Sequence, residues 1–189
     1  MLSRLSKAPK ATAYFKQEKL GLLPEGDHER LNIWSPALVS VLSYCLMPNH
    51  FHFLLKEETW GGVAKFMQRL GNGYTKYFNT REEREGRLFT AKYKRVHVQD
   101  DEQLVHTSRY IHLNPNASSF TNVPISRLQS YPWSSLGLFL KGRSSLLCQP
   151  DEILKLFSTL DEYWDFVSSG AEDSLERFPK DLFIDVDTK

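Results

Sequence analysis

The spacing of apolar positions changes several times along the chain, and each change predicts an element. Residues 35–47, SPALVSVLSYCLM, become β-rich, with Val39, Val41, Tyr44 and Leu46. Pro48-Asn49 is a turn signal, and HFHFLLK resumes the alternation from His50 to Lys56, so the two runs predict a hairpin. From Trp60 to Asn79 the period lengthens. Val63, Phe66, Met67, Leu70, Tyr74, Tyr77 and Phe78 fall at helical spacing, with Lys65, Arg69 and Lys76 outside. Two glycines beside Leu70 weaken the middle of that helix. REEREGRL is a charged loop, and TAKYKRVHVQ (90–99) alternates again, which predicts a third strand. DDEQLVHTSRYIHLNP opens with acids, as a helix N-terminus prefers, and Pro115 is expected to stop it, giving a helix over 101–114.

Outside this stretch, residues 2–20 read as a basic helix ended by GLLPEG. YPWSSLGLFL and two short helical patterns follow the central part, and the aromatic LDEYWDFV is expected to pack back onto it. The order is helix, strand, strand, helix, strand, helix. One strand placed in front completes a split βαβ arrangement, so the expected fold is α+β: a ferredoxin-like antiparallel sheet with helices on one face, its first strand missing from the visible pattern.

Within MPNHFHFLLK, strand alternation points His50, His52 and Leu54 one way and Phe51, Phe53 and Leu55 the other. The phenylalanines make an ordinary core face. Two imidazoles side by side on the opposite face can ligate one divalent cation, although a pair of strand histidines can equally be a polar solvent face. On the 101–114 helix, Tyr110 and Asn114 are one turn apart on one side, with His106 a turn earlier, while Leu104, Ser108 and Ile111 mark a core-directed side. A deprotonated tyrosine can act as a nucleophile, and an asparagine offers a neutral oxygen to a metal. Packing and helix termination explain the same two residues by themselves.

Length suits one compact domain with an appendage, taken as a body over 1–140 and an acidic helical tail over 141–189. No apolar run is long enough for a bilayer span, the N-terminus lacks a secretory pattern, and two distant cysteines fit reduced thiols, which together predict a cytoplasmic protein. The near-zero net charge conceals an asymmetry. Residues 1–150 carry 20 Lys and Arg against 12 Asp and Glu, whereas residues 151–189 carry 4 against 11. A basic body with an acidic tail fits a polyanionic partner. Lys65, Arg69, Tyr74, Lys76, Arg87, Lys92, Lys94 and Arg95 include side chains able to hold phosphates and stack unpaired bases.

Taken in order, CLMPNHFHFLL, FMQRLGNGYTKYFN, GRLF, YKRVHVQDDEQL and RYIHLNP resemble the single-tyrosine HUH transposases of the insertion-sequence-200 type, within them most closely the REP-associated branch. The resemblance covers about residues 36–140. It implies the HUH endonuclease fold, with His50 and His52 as paired metal ligands, Asn114 as a further ligand and Tyr110 as nucleophile. Mg²⁺ or Mn²⁺ is the implied cofactor, and imidazole donors suit Mn²⁺ better than the oxygen-seeking Mg²⁺. Single-stranded or hairpin DNA is the implied substrate, nicked and rejoined through a 5′-phosphotyrosine link. Lys65, Arg69, Lys76, Lys92, Lys94 and Arg95 are the candidate DNA contacts. Monomer and homodimer both occur among relatives, so the assembly stays open.

Three rivals compete. A histidine-triad hydrolase needs another histidine where Leu54 stands, and a zinc hydrolase would have to recruit His97, His106 or His112 without any supporting motif. The rival from another class is a DNA-hairpin-binding protein, derived from a transposase, that no longer cuts.

Overall fold

The computed structural model describes residues 37–170; the basic helix expected over 2–20 and the strand expected ahead of it lie outside these residues. Strand β1 (Val39–Leu46) and strand β2 (Phe51–Glu57) form the expected antiparallel hairpin, from Val39 opposite Glu57 to Leu46 opposite Phe51. The Met47 N–H closes the turn on the His50 carbonyl at 2.9 Å. Helix α1 (Gly62–Arg81) and helix α2 (Asp101–Ala117) follow, then four shorter helices: α3 (Ile125–Leu128), α4 (Leu136–Phe139), α5 (Asp151–Leu154) and α6 (Leu160–Ser169). The result is the α+β arrangement that the periodicities call for.

Helices flank this hairpin on both faces rather than on one. The alternation of β2 is the reason: Phe53 meets Phe66 of α1 with ring centroids 6.0 Å apart, while its neighbour His52 meets Tyr110 of α2 on the other side. A bulge at Leu42 puts Leu42 and Ser43 both in the interior. The bulge's backbone is satisfied from the chain's far end, by the Gln149 N–H on the Val41 carbonyl (2.8 Å) and the Cys148 thiol on the Leu42 carbonyl (3.3 Å). Farther along, the outer edge of β1 is covered by residues 133–135, through Leu46 N–H to Trp133 O (2.8 Å) and Ser135 N–H to Tyr44 O (3.0 Å).

Two expectations are corrected. Residues 90–99 form no strand, and all but Val98 are exposed. Alternation supplies a face to bury, but a strand also needs a neighbour to pair with, and among the described residues no strand pairs there or on the outer edge of β2. Helix α2 also runs through Pro115 to Ala117. Proline removes the N–H that would bond four residues back and crowds the preceding turn, yet the helix continues for two more residues and the Ser118 N–H reaches the Asn114 carbonyl at 3.0 Å.

The core lies between β1, α2 and the C-terminal helices. Cys45, Leu136, Phe139, Ile153, Tyr163 and Val167 are wholly buried, so the aromatic helix of the tail does fold back. Both cysteines are buried and free, and desolvation raises their thiol pKa values, that of Cys148 to about 12, so both stay protonated and inert. At the centre is His112, whose Nδ1 lies 2.7 Å from the Tyr163 hydroxyl and whose Nε2 lies 2.8 Å from Ser135 Oγ. Ser135 in turn accepts from the Tyr44 N–H (2.9 Å) and donates to the Tyr44 carbonyl (3.2 Å).

Desolvation pushes the His112 pKa down to about 3, so the folded protein holds this imidazole neutral. Above about pH 6.5 it is neutral in both states; below that, only the unfolded chain takes up the proton, and stability falls until the folded pKa is reached. Between pH 6.5 and 4.5 this one group should remove about 2–3 kcal/mol. Urea midpoints across that range check it, and a His112→Gln variant, less stable at neutral pH, should show a shallower slope.

The β2–α1 connection makes a second demand. Gly61 takes a left-handed backbone (φ 71°), and a Cβ on Gly62 would stand 2.1 Å from the Leu38 carbonyl oxygen. Backbone cannot swing aside as a side chain does. Gly62→Ala should therefore cost about 1–3 kcal/mol, read as a Tm lower by roughly 5 °C.

Candidate active site

His50 sits at the hairpin turn and His52 is the second residue of β2, so pleating brings both imidazoles to one face. Their ring centroids are 4.9 Å apart with planes at 90°. His50 Nδ1 lies 2.7 Å from Asn49 Oδ1, an acceptor only, so Nδ1 carries the proton and Nε2 is the basic nitrogen. Nε2 of both histidines is closed off from solvent.

Helix α2 brings the other half. Its start is fixed by a reciprocal cap: Asp100 accepts from the Gln103 N–H (2.7 Å) while Gln103 Oε1 accepts from the Gln99 N–H (2.6 Å), with Asp101 and Glu102 in the first turn. A fixed start fixes the rotational phase, and Tyr110 then faces β2. Its ring meets that of His52 edge to face, centroids 5.5 Å apart at 86°. Only 7% of Tyr110 is exposed, and its hydroxyl is shut from solvent. Asn114, one turn on, is buried, and its Nδ2 donates to the Tyr110 carbonyl at 3.1 Å. That bond settles which end of the amide is left for a ligand, namely Oδ1. His50, His52 and Tyr110 thus meet, with Asn114 hydrogen-bonded to the backbone of Tyr110.

A family model described as Transposase IS200 like matches residues 32–114. Those residues belong to the IS200-like transposase family. The match covers less than half of the chain and ends at Asn114, within α2, and the family it names is one of transposases, which act on DNA. No curated protein and no solved structure matches the chain.

In this transposase domain the six predicted DNA contacts lie elsewhere. Lys65, Arg69 and Lys76 are exposed on α1, on the face of the hairpin away from Tyr110, and Lys92, Lys94 and Arg95 are exposed on the 90–99 segment. Aromatic contacts link these two regions: Phe89 meets Phe51 at 5.9 Å and Tyr74 at 6.2 Å. Among the described residues no helix is long and apolar enough to cross a membrane. His97 is exposed, and His106 is taken up by Arg109, whose Nη2 stands 2.9 Å from its Nδ1. Neither joins His50 and His52, and the described residues hold no group of three or more His, Cys, Asp or Glu suited to a metal ion.

Sequence reasoning marked a core-directed side of α2 through Leu104, Ser108 and Ile111 but did not place His112 on it. His112 stands two residues from both Tyr110 and Asn114, a separation that on a helix means the opposite face. That signal lies in the local spacing. Its partner Tyr163, 51 residues later, leaves no such signal.

Proposed function

We propose that this transposase domain nicks and rejoins single-stranded, hairpin-flanked DNA through a covalent link at Tyr110, as a REP-associated relative would. The observation that carries the reading is the meeting of Tyr110 with His52, beside His50, in a space where the phenol oxygen and both Nε2 atoms are shielded from water. A nucleophile held dry beside paired imidazoles suits phosphoryl transfer better than it suits packing.

In the proposed step, Tyr110 Oη attacks the scissile phosphorus and the bond to the 3′ oxygen breaks. The phenol gives up a proton, the departing 3′ oxygen gains one, and the 5′ phosphate stays on tyrosine. Attack by another 3′-hydroxyl reverses the sequence. One phosphate ester replaces another, so no external energy source is needed.

The donor set fits a divalent cation. His50 Nδ1–H is backed by Asn49 Oδ1, the arrangement that orients an imidazole toward a metal through Nε2. His52 and Asn114 Oδ1 would complete the protein ligands. When bound, Mn²⁺ or Mg²⁺ supplies Lewis-acid polarisation of the scissile phosphate. Lys65, Arg69, Lys76, Lys92, Lys94 and Arg95 contribute sequence-independent attraction for the strand; neutralising Lys92, Lys94 and Arg95 together should weaken binding and flatten its salt dependence by about two to three phosphates' worth of slope, measured by fluorescence anisotropy.

The direct test is a denaturing gel of the purified chain incubated with end-labelled hairpin DNA from its own gene's flanks and Mn²⁺. A covalent protein–DNA band is the expected outcome. Binding with no adduct would point instead to a non-catalytic hairpin-binding protein.

A further inference from the structure

We propose that helix α6, beyond the matched family region, is a positioning element of the active site: the Tyr163 hydroxyl sets the rotation and axial slide of the helix that carries Tyr110 and Asn114. The proposal rests on the reading of Tyr110 as nucleophile.

Ser108 and His112 are four residues apart and so form one ridge of α2, on the side turned away from Tyr110 and Asn114. A single hydroxyl grips both: Tyr163 Oη lies 3.1 Å from Ser108 Oγ and 2.7 Å from His112 Nδ1. Bridging one full turn of a ridge constrains two motions together. Rotation of α2 would carry both partners sideways, and sliding would lengthen one bond as it shortened the other.

The anchor continues to the hairpin. Ser135 gives its proton to the Tyr44 carbonyl (3.2 Å), so at 2.8 Å from Ser135 Oγ it is His112 Nε2–H that donates. His112 Nδ1 is then the acceptor for the single Tyr163 hydroxyl proton, so Tyr163 Oη is the acceptor toward Ser108, whose own proton is shared with the Val105 carbonyl at 2.7 Å. The chain of bonds runs from β1 through Ser135 and His112 to α6, and it ties the helix bearing Tyr110 to the same hairpin that bears His50 and His52. A second clamp lies beside it. The Arg109 guanidinium stands 4.4 Å from the centre of the Phe166 ring and 3.4 Å from the Phe166 carbonyl.

Apolar packing alone would hold α2 in place only loosely, because Leu and Phe contacts tolerate small rotations. Directional bonds in a dry interior do not. The placement of a nucleophile is sensitive at that scale, where a shift of about 1 Å can cost about a hundredfold in rate.

The test uses the full chain under single-turnover conditions, with saturating Mn²⁺ and labelled hairpin DNA, well below every variant's Tm. Tyr163→Phe keeps the ring and removes both bonds; its cleavage rate at saturating DNA should fall about ten- to a hundredfold, with Kd for the DNA within about twofold of wild type. Ser108→Ala should show a smaller loss, and the double variant should be no slower than Tyr163→Phe alone, because the two changes break one bridge. Leu128→Ala, a buried substitution away from the bridge, supplies a destabilised comparison that should cleave at the wild-type rate.

An unchanged rate in Tyr163→Phe, a loss confined to Kd, or an equal loss in Leu128→Ala would each overturn the positioning role. Should Tyr163→Phe not fold, the Ser108→Ala rate decides in the same way. A wild-type protein that forms no adduct would instead sink the tyrosine mechanism, and this proposal with it.

Discussion

Tyr110→Phe should abolish the covalent protein–DNA band and lower strand cleavage by about 10⁴-fold or more, while DNA affinity stays within about twofold. One oxygen is removed and nothing else need move. The phenylalanine ring can keep the edge-to-face contact with His52 at 5.5 Å, and the helix position is held from its other side by Ser108 and His112. Losing a shielded hydroxyl should change the Tm little. The combination of intact fold, intact binding and absent adduct is what identifies a nucleophile. Residual adduct at more than a few per cent of wild type would mean that another side chain attacks.

His50→Ala and His52→Ala should each reduce cleavage by about 10²–10⁴-fold and remove most of its response to added Mn²⁺. The two variants should differ in one respect. His50 leans on Asn49 and on the His52 ring, whereas His52 also touches Tyr110, so His52→Ala loosens the nucleophile as well and should be the more severe. Metal titration of the cleavage rate separates the two effects: high Mn²⁺ should restore part of the activity of His50→Ala and less of that of His52→Ala. A mixture of Tyr110→Phe with His52→Ala should stay inactive, since the histidine–tyrosine contact is made within one chain. Activity regained in the mixture would show that tyrosine and histidines are supplied by different subunits.

Much of this site is legible in the amino-acid sequence. The hairpin, the first long helix and the acid-capped second helix are local features, and local periodicity reports them well. The placement of His50 with His52 follows from strand alternation, and that of Tyr110 with Asn114 from the helical repeat. Where periodicity misleads, the deciding partner is remote or the local rule is relaxed. The 90–99 segment alternates as a strand should, yet lacks a described neighbour to pair with, and the second helix passes Pro115, with the Ser118 N–H bonded to the Asn114 carbonyl beyond it. The expected acidic appendage holds Tyr163 and Val167, both fully buried against the core.

Which residues share a face can be read from local chain geometry: two imidazoles on one side of a strand, and a phenol and an amide on one side of a helix, with a basic body and an acidic end legible from composition. Face membership is set by backbone geometry within a few residues, and so it survives without knowledge of the rest. That the two faces look at each other, and that the helix is held in that orientation from behind by Ser135, His112 and Tyr163, emerges first in the packed fold. Those contacts join residues far apart in the chain, and the cost of taking their polar groups out of water is offset only where the packed fold brings the hydrogen-bonding partners together.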